Sequence, residues 1–310
     1  MASPSHTKEP QYSLLFDVRE KHGITRLGLM VNESWNQDPK RTLFTLARYK
    51  FVAKMLAGRE RVLEVGCADA FGTRIVQQAT AKVTAVDFDP IFIADVKERM
   101  NPHWPIEAFV HDMLAGPVAG AFDAAYALDV LEHIEEKDED RFIGNVVASL
   151  APTGVAIFGM PSLESQGHAS PQSKAGHVNC KSGDALKRTL ECHFHTVFVF
   201  SMNDEVVHTG FYPMAHYLLG VACHRRKCIT LGARHAVGAR PRCSGRCRRR
   251  GRDGKRLRLL FRRRMGGATT ERGSWPACSS AWFCRITSML ASSRVPSMRC
   301  SRSSVGPTRS

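Results

Sequence analysis

A mostly parallel seven-stranded α/β sheet, wound by helices on both faces and carrying an antiparallel edge strand, is the fold class that this sequence predicts. Three observations lead there. Short apolar runs rich in Val, Ile and Ala alternate with helix-length stretches from about residue 39 to 226, the pattern of a parallel sheet covered on both sides. The last two apolar runs have no helix between them, which requires antiparallel pairing. At about residue 227 the composition changes abruptly and the alternation stops.

The first element is a helix over PKRTLFTLARYKFVAKML (39–56), with apolar residues at Leu43, Leu46, Ala47, Phe51 and Met55 and the Asp38-Pro39 pair at its start. RVLEVG follows as strand one, ending in Gly66, then a helix through TRIVQQA and strand two at KVTAVD (82–87). Asp89-Pro90 opens a helix over about 90–100. IEAFVHD (106–112) and FDAAYALD (122–129) read as strands three and four. RFIGNVVASL (141–150) is helical, and VAIFGMP (155–161) is strand five. A long polar loop (162–181) and a short helix, GDALKRTLEC, lead to two final strands, HTVFVFSM (195–202) and AHYLLGVACHR (215–225). The expected domains are an amino-terminal covering segment (1–38), a body (39–227) and a tail (228–310).

The net charge of +15 belongs to the tail alone. Residues 228–310 hold 19 Arg and 1 Lys against Asp253 and Glu271, a net of +18, so residues 1–227 carry −3. The tail also has six of the ten cysteines, lacks Asn, Gln and Tyr, and shows no sustained periodicity, which predicts low order. Three readings of it stay open. It is a basic arm for nucleic acid or an acidic membrane, a metal site around Cys243 and Cys247, or an out-of-frame translation of a GC-rich gene. No apolar run is long enough to span a bilayer, and the amino terminus does not read as a signal peptide. The scattered body cysteines Cys67, Cys180, Cys192 and Cys223 fit a reducing compartment. A cytoplasmic protein is the expectation.

In a doubly wound sheet, ligands bind beyond the carboxyl ends of the strands at the switch in strand order. Strand one ends in Glu64-Val65-Gly66-Cys67-Ala68-Asp69-Ala70-Phe71-Gly72, where small residues let a backbone approach a ligand closely. Asp87, 21 residues past Gly66 at the end of strand two, is placed to accept hydrogen bonds from a ribose diol. Asp112 at the end of strand three is placed to bind an exocyclic amine, with Met113 beside it for an adenine face. The dinucleotide fingerprint fails, because its glycine positions hold Gly66, Ala68 and Phe71. Glu64 suits a ligand with a free ammonium group better than a pyrophosphate, which a carboxylate would repel.

VLEVGCADAFG, VTAVDFD, FVHDML, FDAAYALDVLEHI and SLAPTGVAIFGMPS, in this order, resemble the strand-end motifs of the class I S-adenosylmethionine-dependent methyltransferases. The resemblance covers roughly 60–226 and implies the Rossmann-like methyltransferase fold with S-adenosylmethionine as cofactor. It implies that Glu64 and Gly66 hold the methionine moiety, Asp87 the ribose, and Asp112 with Met113 the adenine. Cys67, Ala68 and Leu128 would line the same cofactor, and Phe88 would cover an edge of the adenosine. The sequence departs from the family at Ala68 and Ala70, where glycine is usual.

LDVLEHI is similar to a segment of the ubiquinone-biosynthesis O-methyltransferases in which an acid-x-x-Glu-His set is associated with magnesium. That likeness implies Asp129, Glu132 and His133 as a metal set for Mg²⁺. Were these to open a helix, their spacing would put all three on one face. A second reading makes His133 the general base for a substrate hydroxyl, tuned by Glu132; a third leaves both merely orienting a helix. The acceptor wall is expected from the amino-terminal segment with Trp35 and from the 162–181 loop. There Gln166, His168, Gln172, Lys174, His177 and Asn179 suit a hydroxyl-rich small molecule, and the two histidines are alternative bases. Such an acceptor, a sugar or quinone-like compound, is the expected partner. Nucleic acid is a partner only if the tail is genuine, and the alternative readings are a nucleic-acid binder acting through the tail and a cofactor-binding fold without catalysis.

Overall fold

The computed structural model describes residues 7–226; the Arg-rich tail, and with it the readings placed on it, lies outside the described residues. The strands are β1 (Arg61–Val65), β2 (Lys82–Asp87), β3 (Glu107–Val110), β4 (Phe122–Leu128), β5 (Leu150–Pro161), β6 (Phe194–Asn203), β7 (Val206–His208) and β8 (Tyr217–Arg225). They form one sheet in the order β3-β2-β1-β4-β5-β8-β6-β7. β1 to β5 pair parallel, while β8 is antiparallel to both β5 and β6. The order reverses between β1 and β4, so the switch point lies at the carboxyl ends of those two strands.

The central strands are apolar on both faces because helices cover both. On one side α3 (Lys40–Met55), α4 (Thr73–Gln77) and α5 (Pro90–Glu98) bury Phe51, Val52, Val76, Ile93 and Val96 against the sheet. On the other, α6 (Glu136–Ser149) and α8 (Gly183–His193) bury Phe142, Ile143, Val146, Leu186 and Leu190. Asp89 caps α5 by accepting from the Ile91 N–H at 2.8 Å, with Pro90 in the first turn.

The final two strands pair antiparallel, as expected, but β8 does not lie at the edge. It is inserted between β5 and β6, and the edge is β7, a three-residue strand that the sequence reading lacks. Two helices before residue 39, α1 (Leu14–His22) and α2 (Leu29–Gln37), were also not expected as elements. α1 buries no residue and α2 buries only Val31, so neither carries an apolar stripe to read. α2 is held from outside: the Val31 N–H donates to Asp69 Oδ2 at 2.8 Å, and the Leu29 N–H to Asp95 Oδ2 at 3.3 Å. Two carboxylates thus satisfy a helix start whose own sequence offers no capping side chain. A short helix, α7 (Pro171–Gly176), interrupts the polar 162–181 loop. Among the described residues no helix is long and apolar enough to cross a membrane, and Cys67, Cys180, Cys192 and Cys223 are free thiols.

Candidate functional site

The loop leaving β1 turns back on itself through three left-handed residues: Gly66 at φ 72°, Ala68 at φ 44° and Ala70 at φ 51°. At Gly66 the turn needs glycine twice over, because a Cβ there would also collide with the Val130 side chain. Ala68 and Ala70 adopt the conformation that glycine would take without strain, so the loop keeps its shape at some energetic cost. The Gly66 and Cys67 N–H groups donate to the Val86 carbonyl, closing the loop against β2.

Asp87 completes it. This residue is only 6% exposed. Its Oδ2 accepts from the Ala68 N–H at 2.8 Å and its Oδ1 from the Asp89 N–H at 2.9 Å. Each oxygen keeps a further lone pair at the strand end, where an acceptor for a diol is expected. Phe88, the next residue, is 73% exposed and so free to lie against a ligand. The His111 N–H donates to the Asp87 carbonyl at 2.8 Å, which brings the end of β3 alongside, with Asp112 exposed one residue on. Asp112 Oδ1 accepts from the Leu114 N–H at 2.8 Å. Asp87, Phe88 and Asp112 thus lie together at the strand ends.

Four others sit differently. Met113 is 3% exposed and lies in the core with Phe122 and Phe142, so its side chain is turned away from an adenine face. Cys67 and Leu128 are buried in the sheet's apolar layers. Burial, helped by the Glu64 charge, pushes the Cys67 thiol far above its ordinary range. Glu64 alternates with Leu63 along β1 and therefore faces α3 and α4, where Tyr49 (3.0 Å) and Thr73 donate hydroxyl hydrogens to its two oxygens. It is 1% exposed, and burial raises its pKa to about 7 against an ordinary 4.5. In this arrangement Glu64 braces the loop from below, buried and turned toward α3 and α4.

Beyond β4 the chain departs from the expected helix. Asp129 takes a left-handed conformation (φ 56°), and a single 3₁₀ turn, Leu131–His133, follows. Asp129, Glu132 and His133 therefore do not share a helix face. Arg48 of α3, stacked 3.8 Å from the Tyr217 ring centre, donates through Nη1 to both Asp129 oxygens at 2.8 and 2.6 Å. With Asp129 neutralised in this way, the Asp129–Glu132–His133 set does not assemble, and the remaining donors do not suit the oxygen-seeking Mg²⁺.

What assembles instead is Glu132, His133 and His177, one donor atom from each lying within 4.8 Å of the others. Glu132 is 1% exposed and neither carboxylate oxygen has a partner. Burial, and then the Asp129 charge, hold it well above the usual carboxylate range. The 162–181 loop reaches this turn through the Val178 and Asn179 N–H groups, which donate to the Glu132 carbonyl at 2.9 and 3.0 Å. His133 Nδ1 lies 2.8 Å from the Gly176 carbonyl oxygen, which only accepts, so Nδ1 carries the proton and Nε2 a lone pair. His177 Nδ1 lies 2.9 Å from Gln166 Oε1, an amide whose Nε2 is committed to the Ser162 carbonyl. The same tautomer follows. Burial and the neighbouring His133 lower the His177 pKa, keeping it neutral at pH 7.

Of the other loop residues, Asn179 is buried and donates to Glu139 of α6 at 2.8 Å, tying the loop down. His168, Gln172 and Lys174 are exposed. Trp35 is exposed on α2. Arg48, Tyr49 and Asp69 are the residues that sequence reasoning missed. Asp69 was legible only as part of the loop, and nothing in the spacing of 39–56 points to Arg48 as the partner of Asp129.

A family model described as a methyltransferase domain matches residues 62–154. Among curated proteins, a ubiquinone biosynthesis O-methyltransferase of Xanthomonas axonopodis pv. citri is 26% identical over 167 residues, 51% of this chain and 65% of the relative. Nodulation protein S of Sinorhizobium fredii is 32% identical over 98 residues, 31% of this chain and 45% of that protein. The chain spans between 42% and 65% of the length of the first curated relatives that it matches. A solved structure from Thermotoga maritima, described as a SAM-dependent methyltransferase and possible histamine N-methyltransferase, shares the fold with a TM-score of 0.50. It does so at 15% identity, covering 63% of this chain and 95% of its own. The matched segment and the sheet order agree: this chain carries a methyltransferase domain, with the fold that S-adenosylmethionine-dependent methyltransferases have.

Proposed function

We propose that this protein transfers the methyl group of S-adenosylmethionine to a hydroxyl of a small-molecule acceptor, a sugar or quinone-like compound. The observation that carries the reading is the left-handed 66–70 loop bonded through Ala68 to Asp87, with Phe88 open beside it. Asp87 would hold the ribose, Phe88 an edge of the adenosine and Asp112 the adenine amine. The turn after β4 supports the acceptor side. Val130 packs on Gly66, so the segment bearing His133 leaves the sheet next to the cofactor loop.

The sulfonium is already activated, so the protein has two tasks: align nucleophile, methyl carbon and sulfur, and remove the hydroxyl proton. The Nδ1 contacts of His133 to Gly176 and of His177 to Gln166 support Nε2 of each ring as the atom that takes this proton. Similarity to the Xanthomonas ubiquinone biosynthesis O-methyltransferase favours an oxygen acceptor.

The test is turnover of S-adenosylmethionine by the full chain against a panel of phenols and sugars, with His133→Ala and His177→Ala. At least one of the two variants should lose roughly 100-fold or more in kcat while still binding cofactor, the size of a general-base contribution. Cofactor binding without turnover on any acceptor would move the protein to the non-catalytic reading. Salt-sensitive nucleic-acid binding that disappears with residues 228–310 would favour the tail-based one.

A further inference from the structure

We propose that Glu132, His133 and His177 form a binding site for a divalent transition metal of the zinc type. This goes beyond methyl transfer and does not rest on it, and it differs from a magnesium set both in its residues and in its metal. Three observations point to it. The donor atoms of one carboxylate and two imidazoles lie within 4.8 Å of one another, while tetrahedral zinc places its ligands about 3.3 Å apart. Side-chain rotations of about an ångström close that gap.

Both imidazoles are also oriented as metal ligands are. A ligating histidine characteristically gives its other ring N–H to a carbonyl or carboxylate, which fixes the tautomer and aims the lone pair. Here His133 gives its Nδ1–H to the Gly176 carbonyl and His177 gives its own to Gln166 Oε1, leaving Nε2 as the binding atom in each. The rings stand 5.2 Å apart, tilted by 66°.

Glu132 is the third observation. Its carboxylate is buried, both oxygens lack partners, and no positive side chain is bonded to it. A buried acid with no hydrogen bond costs free energy that a cation would return. Arg48, the nearby cation on α3, is spent on Asp129. The site is also built before any ion arrives, since the loop bearing His177 is fastened to the Glu132 carbonyl by two backbone N–H groups and to α6 by Asn179 and Lys181.

Two imidazoles and one carboxylate select a borderline ion such as Zn²⁺ or Co²⁺ over Mg²⁺, with an open fourth position on the exposed His133 side. A metal on His133 Nε2 takes up the lone pair that a general base would use. Loaded and metal-free protein would therefore differ in how the acceptor hydroxyl loses its proton.

The experiment strips the full chain of metal with a chelator and titrates it with Co²⁺ in the absence of S-adenosylmethionine, following visible d–d absorption. Glu132→Gln, His177→Ala and Asp129→Asn are titrated alongside, with circular dichroism as the folding control. The expected result is a wild-type d–d spectrum with nitrogen and oxygen ligands that Zn²⁺ abolishes and a large excess of Mg²⁺ does not. Glu132→Gln and His177→Ala should each weaken binding at least roughly tenfold, the loss seen on removing even an outer partner of a metal site. Asp129→Asn should leave it intact. Cysteine ligation elsewhere in the chain is told apart by its near-ultraviolet thiolate charge-transfer band, which would persist in every variant. The proposal is overturned if folded Glu132→Gln protein gives the wild-type spectrum, or if the wild type gives none. It is equally overturned if Mg²⁺ displaces Co²⁺ and Asp129→Asn abolishes the site. Should His177→Ala fail to fold, the near-isosteric Glu132→Gln decides alone. Because no cofactor is present, the outcome is independent of whether methyl transfer is observed.

Discussion

The loop after β1 and the turn after β4 leave neighbouring strands of one sheet, yet they are built in opposite ways. The first is nearly self-sufficient: left-handed residues at 66, 68 and 70 curl the backbone, and one carboxylate from the next strand, Asp87, holds it. The second is assembled from distant parts of the chain. Arg48 comes from a helix 81 residues before Asp129, and Gly176, His177 and Asn179 come from a loop more than 40 residues after the turn. Local geometry can be written in a short motif. Long-range assembly cannot, because each residue type looks ordinary in its own stretch.

Glu64 offers the largest way to break this picture, since it ties the first loop to α3 and α4. Its folded pKa of about 7 lies above the ordinary 4.5, so the folded state holds the proton more tightly than the unfolded one. The associated stability is present in full below about 4.5 and is lost as pH rises through about 7. The loss is of the order of 3 kcal/mol. Denaturant unfolding of Glu64→Gln between pH 5 and 8 should show a flatter profile than the wild type and higher stability at pH 8. Parallel profiles would mean that Glu64 is not buried as an acid.

At the turn after β4, Arg48→Met leaves Asp129 without its cation. Asp129 keeps about a third of its side chain in water, so the expected cost is about 1–2 kcal/mol, below that of a fully buried pair. The double variant Arg48→Met with Asp129→Asn should recover most of it. A single variant as stable as the wild type would show that α3 does not anchor the turn.

The smallest effect sharpens the comparison at the loop after β1. Ala70 holds φ at 51°, and glycine relieves that strain at some cost in chain entropy. Ala70→Gly should therefore raise stability by about 0.5–1 kcal/mol, read from thermal unfolding. A loss of stability would mean that the Ala70 methyl, packed with Ile93 and Val96, contributes more than the strain takes away.

The same contrast explains what the sequence discloses. The strands β1 to β5 and the helices between them are legible because each buries an apolar face with its own period, and Asp87 is legible because it stands a fixed distance from Gly66. α1 and α2 are not, because they bury almost nothing and α2 starts on carboxylates supplied by Asp69 and Asp95. The place of β8 between β5 and β6 is likewise a matter of pairing between strands of similar composition. Met113 and Glu64 show the limit from another side: motif position locates a residue along the strand end, while alternation in the sheet decides which way its side chain faces. His177 was legible as a loop histidine and an alternative base, but its pairing with His133 rests on hydrogen bonds to Glu132 that no spacing encodes.

The most direct test of the central claim, that the β1 loop and Asp87 form the cofactor site, is a calorimetric titration of S-adenosylmethionine into the full chain and into Asp87→Ala. Asp87 accepts from the loop and is proposed to accept from the ligand as well, and removing charge-assisted hydrogen bonds of this kind costs about 1.5–3 kcal/mol each. The account predicts saturable binding to the wild type that falls by roughly 100-fold in a folded Asp87→Ala protein. Equal affinity in the two proteins, or no binding to a folded wild type, would contradict it.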